Sequence, residues 1–348
     1  MNIGRKMKKT IALNYRYFVL IIEFCILLLF IVLTYNSFDF SNKKTVFYLS
    51  YSDNNTLLNT LNKNGYNTYN IDKLLLLFID KPMEGWYSLE CGKHERIKFF
   101  NSLHKKHSQT MSIKVYAGET RLDLTKRLAN DMKLDHRHLL DAYDQRSRFK
   151  EADIFSGRYI LARDADENTT MSYLFNKSNK KLEHFFQIHN LDIENESKLK
   201  ALFIIASIIQ KESNSIKEMP FISSVIYNRL EKGMKLQMDG TLNYGKYTHT
   251  IVTPKRIRTD ESLYNTYKHK GIPPAPLSSI SIEALRAAYL PKQTNYLFFM
   301  LNYDGSHNFS ATYAEHLENI RLFKERKKKF HELKIKDTNN VKNITTSV

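Results

Sequence analysis

One carboxyl group stands where the helical pattern of the sequence calls for an apolar side chain. In the segment KLKALFIIASIIQKES, spacings of three and four residues place Leu202, Ile205, Ile209 and Glu212 on one stripe. Burial there would disfavour the ionised carboxylate and raise its pKa from about 4.3 towards neutrality. A carboxylic acid still protonated near pH 7 can protonate a glycosidic oxygen. Glu212 is therefore a candidate general acid, although glutamates at helix ends that simply reach water are common.

The elements predicted to surround Glu212 follow it in the chain. Pro220 fits the first turn of a helix that runs to Lys232, and Gly233 fits the left-handed residue that ends it. The next segment, MKLQMDGTLNYG, is predicted to be a short extended piece with two turn glycines. Further on, Asp304-Gly305 is a hairpin signal.

Four runs of residues resemble, in order, the signatures of the YceG-like family of endolytic murein transglycosylases. They are ASIIQKES at 206–213, NRLEKGMKLQMDGTLNYG at 228–245, YNTYKHKGIPPAPLSS at 264–279 and HNFSATYAEH at 307–316. The likeness is strong from Ala201 to Phe323 and weaker before it. It implies that Glu212 is the catalytic acid, and that the substrate cleft is lined by Gln237, Asp239, Tyr264, Asn265, Tyr267, His307 and Phe309.

The resemblance also implies a reaction. The acid protonates the bridging oxygen, the 6-hydroxyl of the muramic acid closes on C1 to leave a 1,6-anhydro end, and the same carboxylate accepts the hydroxyl proton. Intramolecular attack has a large proximity advantage, so no metal and no organic cofactor is expected. A hydrolase would normally need a second carboxylate. The family further implies cleavage within nascent peptidoglycan strands, which ends their elongation close to the glycan polymerases or penicillin-binding proteins.

Two positions depart from the family pattern. The family commonly has an acidic residue two positions before the catalytic glutamate, where this chain has Gln210. It often has proline after the motif aspartate, where this chain has Gly240. Because residues 210 and 212 point to different sides of a helix, the first change is interpreted as altering a charge on the rim of the cleft. Gln210 is also the main support for a rival function, a non-catalytic glycan-binding scaffold of a cell-wall synthesis complex.

Several residues that the resemblance places in the cleft have an equally ordinary structural interpretation. The aromatic rings of Tyr264, Tyr267 and Phe309 could stack on sugars or belong to the core. Asp239 could orient a sugar hydroxyl, support Glu212 through a neighbouring residue, or form a turn before Gly240. His307 could contact the substrate or simply end the predicted turn.

A long apolar run near the N-terminus predicts a membrane anchor. Residues 17–35, YFVLIIEFCILLLFIVLTY, can cross about 30 Å of hydrocarbon as a helix. Residues 1–16 carry five basic and no acidic side chains, which predicts that they stay in the cytoplasm and that the chain after residue 36 lies outside or in the periplasm. A cleaved signal peptide is the competing interpretation, but no small-residue cleavage site follows the run.

The exported part is predicted to be α+β, in several pieces. Residues 36–45 are expected to be a polar tether, 46–108 a small α+β module, 151–196 a connecting segment, 197–330 the mixed α+β catalytic domain and 331–348 a flexible tail. Between the module and the connecting segment, residues 109–150 follow a strand, turn, helix, helix order that resembles a LysM-type glycan-binding subdomain. Such short units also occur with unrelated roles.

Charge and cysteine content leave the function class open. The 348 residues include 53 Lys and Arg against 36 Asp and Glu, a formal net charge of +17, which suits an anionic partner or simply solubility. Nucleic acid is not expected, because the predicted domain is exported and the basic run KERKKK lacks interleaved aromatic residues. An internal disulfide is not expected, because Cys25 lies in the apolar N-terminal run and Cys91 lies far from it in a polar stretch.

Overall fold

The computed structural model describes residues 2–40, 45–50, 53–79, 82–89, 92–103, 109–191 and 195–328. Within these ranges helices dominate, and the strands form four two-stranded sheets. The predicted mixed α+β class is therefore confirmed. The chain divides into two compact units, Met1–Met111 with Leu161–Thr169, and Ser112–Ile160 with Thr170–Val348.

The first unit begins with a long apolar helix, α1 (Asn2–Asn36). Its stretch Asn14–Ile31 has a mean hydropathy of 1.9 and is not buried against the protein. By length and composition it could cross a membrane, a test that a signal sequence near the N-terminus also passes. The stretch overlaps the predicted span at 17–35. Cys25 on this helix is exposed, and Cys91 lies outside the described residues.

Among the described residues between 37 and 103, the first unit contains two antiparallel strand pairs and three helices. Part of the predicted tether at 36–45 is a strand, since β1 (Ser37–Phe40) pairs with β4 (Gly92–Glu95). The predicted α+β module at 46–108 includes two strands and a helix, β2 (Thr45–Leu49), β3 (Gly85–Leu89) and α2 (Asn54–Lys63). Two short helices complete the unit, α3 (Asp72–Leu75) and α4 (Arg96–Ser102). The apolar face of α2 is buried, and it packs in one cluster with β2 and β3: Leu57, Leu58, Leu61, Phe47 and Tyr87.

The second unit starts with the predicted strand, turn, helix, helix order, followed by a second strand. These elements are β5 (Thr110–Val115), α5 (Arg121–Met132), α6 (His136–Asp144) and β6 (Gly157–Ala162), and β5 pairs with β6. Thr120 starts α5 with a capping box. The Thr120 side chain accepts the backbone N–H of Asp123, and the Asp123 side chain accepts the backbone N–H of Thr120. Leu124 and Leu128 on α5 are buried, whereas Leu122 is 43% exposed.

The region predicted as a connection contains more regular structure than expected. Besides β6, it includes α7 (Glu167–Ile188), a helix of 22 residues. The sequence favoured a connecting segment here because Asn, Lys and Thr dilute the apolar residues in most turns of this helix. Packing overrides this weak local preference, since Met171, Leu174 and Phe175 are buried.

The predicted catalytic region is built around the helix that carries Glu212. Three helices supply much of its apolar core, α8 (Glu196–Glu212), α9 (Met219–Glu231) and α12 (Ile282–Tyr289). The predicted end of α9 is confirmed, because Gly233 has a φ of 61°. Short helices follow at α10 (Asp239–Leu242) and α11 (Pro254–Thr259), with a 3-10 turn at Gly245–Tyr247. The predicted hairpin is present as β7 (Phe298–Leu301) and β8 (His307–Ser310), and residues 313–328 are helical.

The tail predicted at 331–348 lies outside the described residues.

Candidate active site

The C-terminal end of α8 places Glu212 at the edge of the apolar core. The preceding residues of its predicted stripe are buried, with Ile205 at 4% and Ile209 at 0% exposure. Glu212 itself is half-buried, so the stripe leads from the core to a carboxyl group that keeps some access to the surface. Ser213 then leaves the helix with an extended backbone.

The carboxyl group of Glu212 is held by the backbone of the next short helix. The N–H of Gly240 donates to Glu212 Oε1 at 3.0 Å, so α10 lies directly against the end of α8. A Cβ at position 240 would lie 2.7 Å from the Lys211 Cβ and 2.9 Å from Glu212 Oε1. Only glycine fits this approach without displacing the neighbours. Gly240 is thus required for close contact and is not the turn glycine that the sequence predicted.

Burial raises the pKa of Glu212 to about 7. The Gly240 hydrogen bond acts in the opposite direction, because it stabilises the ionised form, and the nearby Asp239 carboxylate adds a further increase by charge repulsion. The group is therefore divided between its acid and its base form near neutral pH. Such a side chain can both donate and accept a proton.

Asp239 and Tyr267 form a pair beside the acid. Tyr267 Oη donates to Asp239 Oδ1 at 2.6 Å. Burial and this hydrogen bond raise the pKa of Tyr267, with smaller contributions from the charges of Asp239 and Glu212. Two of the residues predicted for the cleft are therefore brought next to Glu212.

Gln237 lies in the segment that leads into α10 and has a left-handed backbone, with φ of 51°. Its N–H donates to the carbonyl of Thr266 at 3.1 Å, and its side chain is exposed. The buried guanidinium of Arg229 holds the same segment by donating to the carbonyl of Leu236 at 2.6 Å. The structure thus holds Gln237 by backbone contacts and by a long hydrogen bond, 3.4 Å, from Arg229 Nη1 to its amide oxygen, while the side chain as a whole stays exposed.

Tyr264 lines a cavity whose wall includes Thr241, the residue after Gly240. Its ring stacks on Tyr244, with ring centroids 4.5 Å apart and planes inclined by 26°. The cavity has a volume of about 410 Å³, and its wall also includes Arg256. Tyr244 follows Gly240, the residue that holds Glu212, closely in the chain, and its stacking brings Tyr264 from a later loop to the same segment.

Asn265 is fully buried and saturated by backbone groups. Its amide nitrogen donates to the carbonyls of Ile257 and Asp260 at 2.9 and 2.7 Å, and its oxygen accepts the N–H of Tyr267 at 3.1 Å. The side chain therefore shapes the loop between Tyr264 and Tyr267. It does not line the surface of a cleft, as the resemblance had implied.

His307 and Phe309 lie in a different cavity, of about 370 Å³. The N–H of His307 and its Nδ1 lie 2.7 and 2.8 Å from the two carboxylate oxygens of Glu218. Phe309 stacks on Tyr296, with ring centroids 5.7 Å apart. The Ser213 hydroxyl donates to Glu218 at 3.2 Å, so this cavity is linked to the residue that follows the acid.

Gln210 is not on the rim, which corrects the interpretation of this position as a change of rim charge. The side chain is 5% exposed, and its Oε1 accepts the N–H and the hydroxyl of Ser281 at 3.1 and 2.8 Å. Ser281 begins α12, so Gln210 joins that helix end to α8. Its amide nitrogen donates to Asn214 at 3.0 Å, a bond that a carboxylate could not make.

Sequence reasoning missed three residues of the site. Gly240 was interpreted as a turn glycine, and nothing in the sequence signals a close approach from a distant helix. Glu218 was not selected, because a lone glutamate before Met219 resembles any helix start. Tyr244 was quoted within a motif but gained significance only through its stacking on Tyr264.

Comparison with known proteins places this architecture in a defined class. Residues 75–322 match the YceG-like family, and the chain therefore belongs to that family. A relative in Bacillus subtilis named endolytic murein transglycosylase is 30% identical over 152 residues. A Streptococcus pneumoniae relative of the same name is 25% identical over 189 residues. The aligned parts cover 43% and 52% of this chain but only 42% and 34% of the two relatives.

A solved structure supports the fold. A crystal structure of a yceG-like protein from Listeria monocytogenes superposes with a TM-score of 0.51 at 22% identity. The match covers 80% of this chain and 99% of the Listeria chain. The overall fold is therefore shared with that protein.

Proposed function

We propose that the chain is an endolytic peptidoglycan lytic transglycosylase that cleaves the MurNAc-GlcNAc β-1,4 bond and leaves 1,6-anhydro-MurNAc ends. The observation that carries this proposal is Glu212, a half-buried acid with a pKa of about 7 at the end of α8. The family membership and the printed names of the B. subtilis and S. pneumoniae relatives support the same reaction class.

In the proposed reaction Glu212 acts twice. Its protonated form donates to the glycosidic oxygen as the C1–O bond breaks, and the 6-hydroxyl of the same muramic acid attacks C1. The Glu212 carboxylate then takes the hydroxyl proton and is ready for the next cycle. The Gly240 N–H stabilises the carboxylate formed after the first step, and a pKa near 7 keeps both proton transfers within reach.

The remaining residues receive roles around this acid. Gln237, Asp239, Tyr264 and Tyr267 are proposed to contact the sugars beside the scissile bond, with Asp239 oriented by Tyr267. His307 and Phe309 would contact a more distant part of the strand, through the cavity that also contains Glu218. Asn265 keeps an indirect role, holding the loop that carries Tyr264 and Tyr267. No cofactor enters this scheme.

A hydrolase is a second candidate function, because the carboxylate of Asp239 lies near Glu212. The charge of Asp239 contributes to the raised pKa of Glu212. A paired carboxylate is the usual way to activate water or attack C1 in glycoside hydrolysis. In that case the products would end in reducing MurNAc and would be heavier by one water per cut.

Product analysis separates these candidates. Purified sacculi would be incubated with the full-length wild type or the Glu212→Gln variant, and the soluble glycans analysed by mass spectrometry. We expect anhydro ends from the wild type and a loss of at least about a hundredfold in the variant. Reducing ends from the wild type would establish hydrolysis. No cleavage by either protein, combined with retained binding, would favour the glycan-binding scaffold.

The setting of this activity is also proposed. Helix α1 would anchor the chain in the bacterial cytoplasmic membrane with its N-terminus inside, placing the domain at 197–330 outside. The strand, helix, helix order of β5, α5 and α6 supports a LysM-like subdomain at 109–150 that binds glycan. Cleavage of nascent strands would then limit their length beside glycan polymerases or penicillin-binding proteins.

A further inference from the structure

A basic groove lies next to the proposed sugar-binding tyrosines. It has a volume of about 560 Å³, and three cationic side chains line it, those of Arg148, Lys150 and Lys200. One carboxylate, that of Glu196, also lines the groove, so cations remain in excess. Within the described part of the chain, none of the three cations forms a salt bridge. Arg148 also acts electrostatically on the Asp153 carboxylate without forming an ion pair with it, so the charges of all three side chains can still attract an anion in the groove.

The backbone that carries Lys150 is held in an unusual conformation. Lys150 and Ala152 both have φ of 68°, a left-handed region that residues with a Cβ rarely adopt. Between them Glu151 turns inward, is 2% exposed and accepts the N–H of Arg121 at 2.8 Å. On the other side Phe149 is buried in the core. These two anchors hold Lys150 outward, and strain of this kind is characteristic of positions kept for a function.

The groove shares a wall with the proposed active site. Tyr264 lines both the groove and the cavity that contains Tyr244 and Thr241. Thr241 follows Gly240, the donor to Glu212. A glycan strand bound at these tyrosines would therefore bring its substituents to the mouth of the basic groove.

We propose that the groove lined by Arg148, Lys150, Lys200 and Tyr264 binds a carboxylate-bearing substituent of the glycan substrate. This inference rests on the proposed function. In peptidoglycan the carboxylate has two possible sources, the carboxyl groups of the peptide branch on muramic acid, or the lactyl carboxylate that is free only where the branch has been removed. Both would pair with the same guanidinium and ammonium groups.

The test compares two triple variants of equal charge. One is Arg148→Gln/Lys150→Gln/Lys200→Gln. The other removes three exposed lysines outside the groove and outside the proposed glycan-binding regions, Lys180→Gln/Lys292→Gln/Lys324→Gln. Each full-length protein is assayed on uncrosslinked strands that carry peptide branches, and on the same strands after an amidase has removed the branches. Binding is measured by co-sedimentation with each strand in the Glu212→Gln background, which prevents turnover.

We expect the groove variant to lose about tenfold in kcat/KM and in affinity relative to the control variant, and to lose less at high salt. Loss on peptide-bearing strands alone assigns the groove to the branch carboxylates. Loss on peptide-free strands alone assigns it to the lactyl carboxylate, and equal losses assign it to either source. The double variant Arg148→Gln/Lys200→Gln, which leaves the strained Lys150 intact, should show a smaller loss of the same kind.

The inference is overturned if the groove and control variants match in both rate and binding on both strands. Its failure is distinct from failure of the proposed function. If the wild type cuts neither strand, the proposed function fails, and the binding comparison alone then decides whether the groove recognises a carboxylate.

Discussion

Two glutamates close together in the chain, Glu212 and Glu218, occupy opposite electrostatic environments. Glu212 is half-buried at the end of α8 and accepts a backbone N–H from Gly240, and its pKa is raised to about 7. Partial burial would also raise the pKa of Glu218, but hydrogen bonds from His307 and Ser213 outweigh it and the pKa falls below its usual value. Residue type is the same, so the surroundings alone decide the outcome.

The difference separates a group that can exchange protons from one that holds structure. Near neutral pH, Glu212 is divided between acid and base, whereas Glu218 stays ionised and ties the β7–β8 hairpin to the residue after the acid. If this comparison is correct, changes around Glu212 should alter pH dependence. Changes around Glu218 should alter substrate binding and leave pH dependence unchanged.

The largest expected effect concerns the stability cost of Glu212. In the unfolded chain this carboxyl ionises near its ordinary pKa of 4.5, whereas in the folded chain it stays protonated up to about pH 7. Its contribution to stability is therefore complete below pH 4.5 and is lost as the pH rises to 7. The Glu212→Gln variant lacks this loss. Between pH 4.5 and 7, the unfolding free energy of the variant should therefore rise relative to that of the wild type by up to about 3 kcal/mol. Urea unfolding of both proteins across this pH range measures the difference.

The same pKa predicts the pH dependence of activity. Since the first step needs protonated Glu212, kcat/KM should fall about tenfold per pH unit above pH 7. A stability difference that does not change between pH 4.5 and 7, or a rate that continues to rise above pH 8, would show that Glu212 is an ordinary surface carboxylate.

A smaller effect is expected from Gly240→Ala. The added Cβ must displace the Lys211 side chain or Glu212 Oε1, which lie 2.7 and 2.9 Å away, and this weakens the hydrogen bond that favours ionised Glu212. We expect a loss of about tenfold to a hundredfold in kcat, corresponding to about 1.4–2.7 kcal/mol, and an alkaline limb moved to higher pH. Full pH profiles of the purified variant measure both quantities.

Gly245→Ala provides the matched control for Gly240→Ala. Gly245 has a φ of 60°, and a Cβ there would meet open space. Alanine at this position should therefore cost about 1 kcal/mol of stability through backbone strain and leave the pH profile unchanged. Identical pH profiles for the two variants would show that Gly240 has no special relation to Glu212.

Much of the fold was predictable from the sequence where pattern and packing agree. The leucines of α2, the proline and glycine that bound α9 and the Asp304-Gly305 hairpin each carry a local signal that the structure confirms. Helix α7 was largely missed, because its buried residues are dispersed among Asn and Lys and gain their stability from tertiary contacts. Local patterning predicts an element best when its buried face is also its most apolar face.

The candidate site was predictable only in part, for a different reason. Glu212 has a local signature, a carboxyl group in an apolar stripe, and its raised pKa follows from that environment. Gly240 and Gln210 acquire their roles through contacts with residues far away in the chain, at Glu212 and Ser281 respectively. No local pattern in a single sequence indicates such long-range contacts. Gly240 was therefore predicted as a turn glycine and Gln210 as a residue on the rim of the cleft, whereas both are closely packed in the structure.

The smallest expected effect concerns Glu218→Gln, which tests the other side of the comparison. Glutamine keeps one acceptor but places an NH₂ against the His307 and Ser213 donors, so the link between the hairpin and the end of α8 weakens. We expect KM for glycan strands to rise about threefold to tenfold, with kcat nearly unchanged and the alkaline limb still near pH 7. Steady-state kinetics from pH 5 to 9 measure all three quantities. A shift of the alkaline limb as large as that of Gly240→Ala would mean that Glu218 also sets the protonation of Glu212, and the two glutamates would then form one coupled system.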